Sequence, residues 1–372
     1  MKRLICLTAL VSLLLTGCVP HTELNERAII EAVGIDLDGG EYIVTMQYYN
    51  TLGSESDDIS ETNVLTAKGR GDSVYNAIPD AGFSDGKRLM FGVNQLIIIG
   101  ESAACKDITE LLSFATTYYQ SHADVKIGVA EGTAENLLSV KFKEGLISTQ
   151  KLKFIFSNAE ETGFAANASI IDVMSVMSSS TESICLPLIR TVDADLDVSE
   201  DGRTIEIAGG VVYKNRVMAD TISLEAMSGV ELLKNEARDT VISLEYGGSE
   251  ISIGAYGINS RITPYLDNGQ LVFSVNTAAD GEFLSANLKG NNGALSEEIG
   301  KMAAAQLEKR LKAAVEEGVL KHGTDIFMLE PIVRNKSYRL WLGVENRWEE
   351  MLKESRFEFD TRVEIDRYGI EQ

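Results

Sequence analysis

Ala294-Leu295-Ser296-Glu297-Glu298-Ile299-Gly300-Lys301-Met302-Ala303-Ala304-Ala305-Gln306-Leu307-Glu308-Lys309-Arg310-Leu311-Lys312-Ala313-Ala314-Val315-Glu316-Glu317-Gly318-Val319-Leu320 is the longest stretch of one period in the chain. Leu295, Ile299, Met302, Ala303, Leu307, Leu311, Ala314, Val315 and Val319 fall on one slowly turning face, and Glu297, Lys301, Glu308, Lys309 and Lys312 lie outside it, which predicts an amphipathic helix. At ~1.5 Å per residue such a helix runs about 40 Å, enough to back a whole sheet.

The sheet it needs is written on either side of it. After it, Arg356 to Asp366 alternates strictly, with Phe357, Phe359, Thr361, Val363 and Ile365 on one side and charged residues on the other, the pattern of a half-buried strand. Before it, Thr204 to Tyr213 and Arg216 to Ala219 read as a hairpin around Lys214-Asn215, Ser223 caps a helix through Leu233, and Val241 to Tyr246 pairs with Ile251 to Ile258 across Gly247-Gly248. Hairpins dominate here, so an antiparallel sheet is expected.

The first half alternates instead. Ala28 to Asp36 and Glu41 to Asn50 flank Asp38-Gly39-Gly40 as a hairpin, and Thr62 to Lys68 predicts a third strand. A short helix capped by Asp72 or Ser73 with Val74, Ala77 and Ile78 inward, an apolar run from Val93 to Ile99, and a helix through Ile108, Leu111, Leu112 and Ala115 follow. A strand from Val125 to Ala130, a helix opening at Thr133 and an extended run from Ile184 to Ile189 complete it. Asp193, Asp195 and Asp197, ending at Asp201-Gly202, read as a charged linker. The expected fold is α+β and multidomain, with mixed and antiparallel sheets, packed helices and one long helix in the C-terminal domain. The expected divisions are an N-terminal α/β-like domain at 27–192, a hairpin-rich middle domain at 203–280 and a C-terminal domain at 281–372.

The amino terminus carries a different signal. Lys2 and Arg3, an apolar run from Leu4 to Leu15, and Leu15-Thr16-Gly17-Cys18 form a lipoprotein processing site, making 1–17 a signal peptide and 18–26 a lipid-anchored tether. The apolar run is shorter than the ~20 residues of a membrane-crossing helix, and the Cys18 thiolate is the acceptor for acylation. Two acyl chains anchor a protein stably where one does so marginally.

Removal of 1–17 would leave 355 of the 372 residues and take the formal net charge from −22 to −24 with the loss of Lys2 and Arg3. Such a surface repels phosphate backbones and anionic headgroups, which argues against nucleic-acid binding and leaves the lipid as the membrane contact. Cys105 and Cys185 are the cysteines left over once Cys6 is cleaved off and Cys18 acylated. A disulfide between them is possible outside the cytoplasm, but two buried free thiols are the commoner state for so few cysteines in so large a chain.

Chemical motifs fail on context. Gly82-Phe83-Ser84-Asp85-Gly86 has the spacing of a hydrolase nucleophile elbow, but a helix precedes it and a strand follows, the reverse of what an elbow requires. Gly86-Lys87 falls one residue short of a phosphate loop, and Arg88 stands where a Ser or Thr would coordinate magnesium. Asp193, Asp195 and Asp197 suggest calcium, yet Val198 and Thr204 occupy the positions that need glycine and glutamate. His21, His122 and His322 lack ligand spacing, and Arg70-Gly71-Asp72 sits at a strand–helix join. No enzyme, cofactor or metal site is expected.

Several blocks, in order along nearly the whole chain, resemble one family. After Cys18 come Glu23-Leu24-Asn25-Glu26 and Ala32-Val33-Gly34-Ile35-Asp36, then Gly71-Asp72-Ser73, Arg88-Leu89-Met90-Phe91-Gly92 and Leu96-Ile97-Ile98-Ile99-Gly100-Glu101. Asp325-Ile326-Phe327, Trp348-Glu349-Glu350 and Ile365-Asp366-Arg367-Tyr368-Gly369 close the series. Together they are similar to the Ger(x)C lipoproteins, the C subunits of the spore germinant receptors. Val19, Val93 and Met328-Leu329 depart from residues common in that family.

The resemblance implies a three-domain α+β protein anchored by lipid to the outer face of the spore inner membrane. It also implies assembly with integral membrane A and B subunits, of which B is the expected nutrient binder, in germination signalling. A lipid-anchored solute-binding protein of an importer would share the signal but needs two doubly wound lobes around a cleft, and an extracytoplasmic hydrolase would rest on Ser84 alone.

Overall fold

The computed structural model describes residues 26–49, 64–117, 122, 124–142, 148–164, 168–196, 199–285 and 293–367. Among them, two sheets carry the fold. In the larger, β1 (Arg27–Asp38) and β2 (Glu41–Tyr49) form the expected hairpin, with Asp38 opposite Glu41 and positive φ at Gly39 and Gly40. β3 (Val64–Gly71) joins β2 antiparallel, and β4 (Arg88–Met90) pairs with the start of β1. β5 (Leu96–Gly100) and β6 (Lys126–Ala130) continue parallel to β1, followed by β7 (Ser183–Asp193). β8 (Arg203–Lys214) and β9 (Val217–Ser223) complete the sheet antiparallel.

Every residue of β5, Leu-Ile-Ile-Ile-Gly, is buried, as a parallel strand covered on both faces must be. On one face sit α1 (Val74–Asp85), α2 (Glu101–Ala104) and α3 (Ile108–Thr117); on the other lie α4 (Ala134–Leu138) and α5 (Ser148–Thr162), while α6 (Ile170–Met177) returns to the first. Ser73 caps α1 by accepting from Asn76 N at 3.3 Å, Thr133 caps α4 from Asn136 N at 3.2 Å, and Ser169 and Asp172 form a capping box on α6.

After α7 (Leu224–Lys234), capped by Ser223 as expected, the second sheet forms from β10 (Thr240–Tyr246), β11 (Ser249–Asp267) and β12 (Gln270–Ser285) in two long hairpins. The predicted long helix is α8 (Gly293–Val315), continued by a π-helical turn over Glu316–Leu320. Ile299, Ala303, Leu307, Leu311, Ala314, Val315 and Val319 are buried, the face read from the sequence. The chain then runs through α9 (Leu329–Lys336), α10 (Tyr338–Val344) and α11 (Trp348–Lys353) into β13 (Arg356–Arg367).

The class is α+β with two mixed sheets, and the particulars differ from expectation in three places. β13 lies parallel to β12, so the second sheet is mixed rather than purely antiparallel; the helical connection between them supplies the crossover that parallel pairing requires. The acidic stretch after Asp193 connects two neighbouring strands of one sheet: Asp193 stands opposite Arg203, and Ala194 N donates to Gly202 O at 2.8 Å. Segment 203–280 therefore contributes β8 and β9 to the first sheet and β10, β11 and β12 to the second. Finally, Cys185 is a buried free thiol, but Cys105 is an exposed one.

Candidate functional site

The blocks that carried the resemblance converge in the first sheet on a helix junction. Asp36, at the end of β1, is 6% exposed, and its two carboxylate oxygens accept from Ala134 N at 2.7 Å and Glu135 N at 2.9 Å. It thus caps α4 from a distant strand and places a negative charge at the positive end of the helix. Burial pushes its pKa up, and the two N–H bonds pull it back down.

Two glycines make room. A Cβ on Gly100 would lie 1.9 Å from Asp36 Oδ1, and one on Gly34 would lie 3.0 Å from Leu138 Cδ1. Glu101 closes the junction, its N donating to Gly132 O at 2.8 Å and its Oε2 accepting from Gly132 N at 3.1 Å. Gly71 belongs to the same logic, since a Cβ there would meet Ala77 N at 2.6 Å and push α1 off β3.

The second half repeats the device. Asp325, 3% exposed, accepts from Leu329 N at 2.6 Å and Glu330 N at 2.8 Å and so opens α9. Its carboxyl is pushed up to about 6, chiefly by burial, with the two backbone bonds opposing. Glu330, also buried, binds the Ser180 hydroxyl and Arg334 Nη1 at 3.0 Å, tying α9 to the chain just before β7.

Nearby, the halves meet across a polar cleft of about 410 Å³ walled by Asp172, Ser183, Cys185, Glu231, Lys234 and Met328, among others. Lys214 reaches across the same seam to His322 O at 2.9 Å and to Glu349.

The other sequence candidates stay apart. Cys18 and His21 lie outside the described residues. Ser84 is exposed in the last turn of α1, two residues before the left-handed cap at Gly86, with β4 following; that is a helix end, not a strand-to-helix elbow. Asp193 and Asp195 lie at and just beyond the end of β7, and Asp197 is outside the described residues. His122 is bonded to Gly92 O at 2.7 Å and His322 to Asp220 Oδ2 at 2.7 Å, far from one another in sequence and partners. Among the described residues no cluster of three His, Cys, Asp or Glu side chains could hold a metal ion, and no helix is long and apolar enough to cross a membrane. Asp36 and Asp325 are helix caps, a role their spacing does not advertise because each partner helix begins at a different sequence distance.

Comparison with known proteins gives the family and a similar fold. Residues 20–191 match the spore germination protein N-terminal domain, and residues 208–369 match the spore germination B3/GerAC-like C-terminal domain. The chain belongs to the C-subunit family of spore germinant receptors. It is 21% identical to spore germination protein KC of Bacillus subtilis (strain 168) over 98% of this chain and 96% of that one. It is 22% identical to the putative spore germination protein YfkR of the same organism over 74% of this chain and 72% of that one. Its fold is similar to the crystal structure of the GerBC protein, with a TM-score of 0.59 at 17% identity, covering 90% of this chain and 96% of that one.

Proposed function

We propose that this chain is the non-enzymatic, lipid-anchored C component of a nutrient germinant receptor. A diacylglyceryl group on Cys18, with an N-linked acyl chain such as palmitate, holds it on the outer face of the spore inner membrane. There it acts in germination signalling by contact with the integral membrane A and B subunits.

One observation carries the reading: both germination families match in order and nearly end to end, directly behind Leu15-Thr16-Gly17-Cys18. The buried acids support a role in contact rather than chemistry, because Asp36 and Asp325 are each occupied by two backbone donors. The formal net charge of −22 disfavours adhesion to anionic lipid and makes the acyl group the membrane attachment. An importer's binding protein needs two doubly wound lobes, whereas the second sheet here is built from two hairpins and one parallel strand.

The test is Cys18→Ala in spores. The variant protein should leave the membrane fraction, stop co-purifying with A and B from detergent extracts, and slow nutrient germination at least tenfold. Normal membrane amounts together with normal germination would refute the anchoring.

A further inference from the structure

Under α5, at the entry ends of β5 and β6, the first sheet leaves a cavity of about 450 Å³. It lies on the face opposite α1 and α3, and Val93, Leu96, Val125 and Phe156 line its apolar part. Its rim is fixed by backbone bonds, Gln95 N to Glu31 O and Lys126 N to Gln95 O, both at 3.0 Å. A preformed, mostly apolar hollow with a few polar groups is the usual form of a small-molecule site.

The polar lining includes Asp124 beside Lys126, Lys153 and the Asn94 amide. Asn94, on the wall, is only 2% exposed; its Oδ1 accepts from Leu96 N at 3.4 Å, which orients the amide, and its Nδ2 has no hydrogen-bond partner. A buried donor left unpaired costs ~1–3 kcal/mol, a cost that an acceptor drawing this nitrogen toward the cavity removes. Lys153 presents an ammonium on the same wall, whereas Lys126 is engaged by Asp124 at 3.2 Å. Glu31, 7% exposed, interacts electrostatically with Lys153; burial pushes its carboxyl up and Lys153 pulls it back. With Lys126 matched by Asp124 on the same lining, the donors left for a small anion are Lys153 and the unpartnered Asn94 amide.

We propose that this cavity binds a small molecule with an apolar body and one carboxylate, the body against Leu96 and Phe156 and the carboxylate between Asn94 and Lys153. Neither the family assignment nor the lipid anchor contains this site.

Saturation-transfer NMR on the detergent-solubilised chain tests it, with 3-methylbutanoate and phenylacetate as probes and their primary amides as uncharged counterparts. Both carboxylates should saturate, and the amides should bind at least tenfold more weakly. Asn94→Asp, which keeps the acceptor for Leu96 N but turns the donor into a like charge, should weaken carboxylate binding at least tenfold. Lys153→Met, at an exposed position whose charge faces buried Glu31, should do the same, while Lys153→Arg, which keeps that charge, should bind as the parent chain does. The proposal fails if neither carboxylate saturates, if the amides bind as tightly as the carboxylates, or if Lys153→Met binds like the parent chain. The measurement needs no A or B subunit, so its outcome is independent of the Cys18 experiment.

Discussion

Gly100 and Asp36 are fitted to one another: the space a Cβ on Gly100 would fill, 1.9 Å from Asp36 Oδ1, is the space that oxygen occupies while accepting from Ala134 N at 2.7 Å. Any side chain at 100 must evict the carboxylate from its helix. Gly100→Ala should therefore cost about 2–4 kcal/mol, combining overpacking with two orphaned N–H groups at the start of α4. Urea unfolding measures it, and an unchanged midpoint would show that the junction carries no such fit.

Asp325 makes stability depend on pH in an unusual direction. Its folded carboxyl, at about 6, stands above its ordinary value of 3.8, so between those values the folded state holds more protons than the unfolded one. The associated stability is complete below pH 3.8 and is lost as pH rises through about 6, a change on the order of 3 kcal/mol. Relative to Asp325→Asn, which cannot ionise, the parent chain should lose that amount of unfolding free energy between about pH 4 and pH 7. Parallel pH profiles for the two proteins would overturn the assignment.

The two free thiols should differ sharply in reactivity. Cys105 is exposed, whereas Cys185 is buried against Met227 Sδ at 3.4 Å and burial pushes its thiol far up. The thiolate is the reactive form. In the mature chain, where the proposed lipid occupies Cys18, a maleimide at neutral pH should label Cys105 within minutes and reach Cys185 only after denaturant is added. Mass spectrometry of digested, labelled protein separates the two sites.

Ser84→Ala should leave unfolding free energy within about 0.5 kcal/mol of the parent, as exposed substitutions away from caps and cores do, and should leave germination rate unchanged. A germination defect with a folded variant would restore the hydrolase reading of Gly82-Phe83-Ser84-Asp85-Gly86.

Much of the architecture was legible because its signals are local. The caps at Ser73, Thr133 and Ser223 sit where polar residues precede apolar periodicity, and the Gly39-Gly40 and Gly247-Gly248 hairpins announce themselves by the positive φ they need. Pairing between distant segments was not legible. Nothing in Arg356 to Asp366 says that its neighbour is β12 or that the two run parallel, and a charged hairpin connection after Asp193 has the composition of a linker. The helices at Ser148–Thr162 and Leu329–Lys336 escaped notice for other reasons: polar and charged residues outnumber apolar ones in the first, and the second, although Leu329, Ile332 and Val333 keep helical spacing, is only two turns long and carries Pro331.

Close approach is equally hidden. Gly229 reads as a weak point in α7, yet a Cβ there would lie 2.0 Å from Arg310 O, so the glycine is what lets α7 lie against α8. Of the candidate site, the aspartates were visible as parts of recognisable blocks, but their job as caps appears only when Ala134 and Leu329 are brought beside them.

The parallel seating of β13 on β12 also sets an order of events during synthesis. Until residues 356–367 have left the ribosome, β12 keeps an open hydrogen-bonding edge, and the flank of α8 that packs on β13, where Gly300 leaves 2.5 Å between a would-be Cβ and Val363 O, has no cover. The nascent polypeptide therefore remains unable to finish this half while it is being made. That delay would suit the export that the proposed anchor on Cys18 calls for.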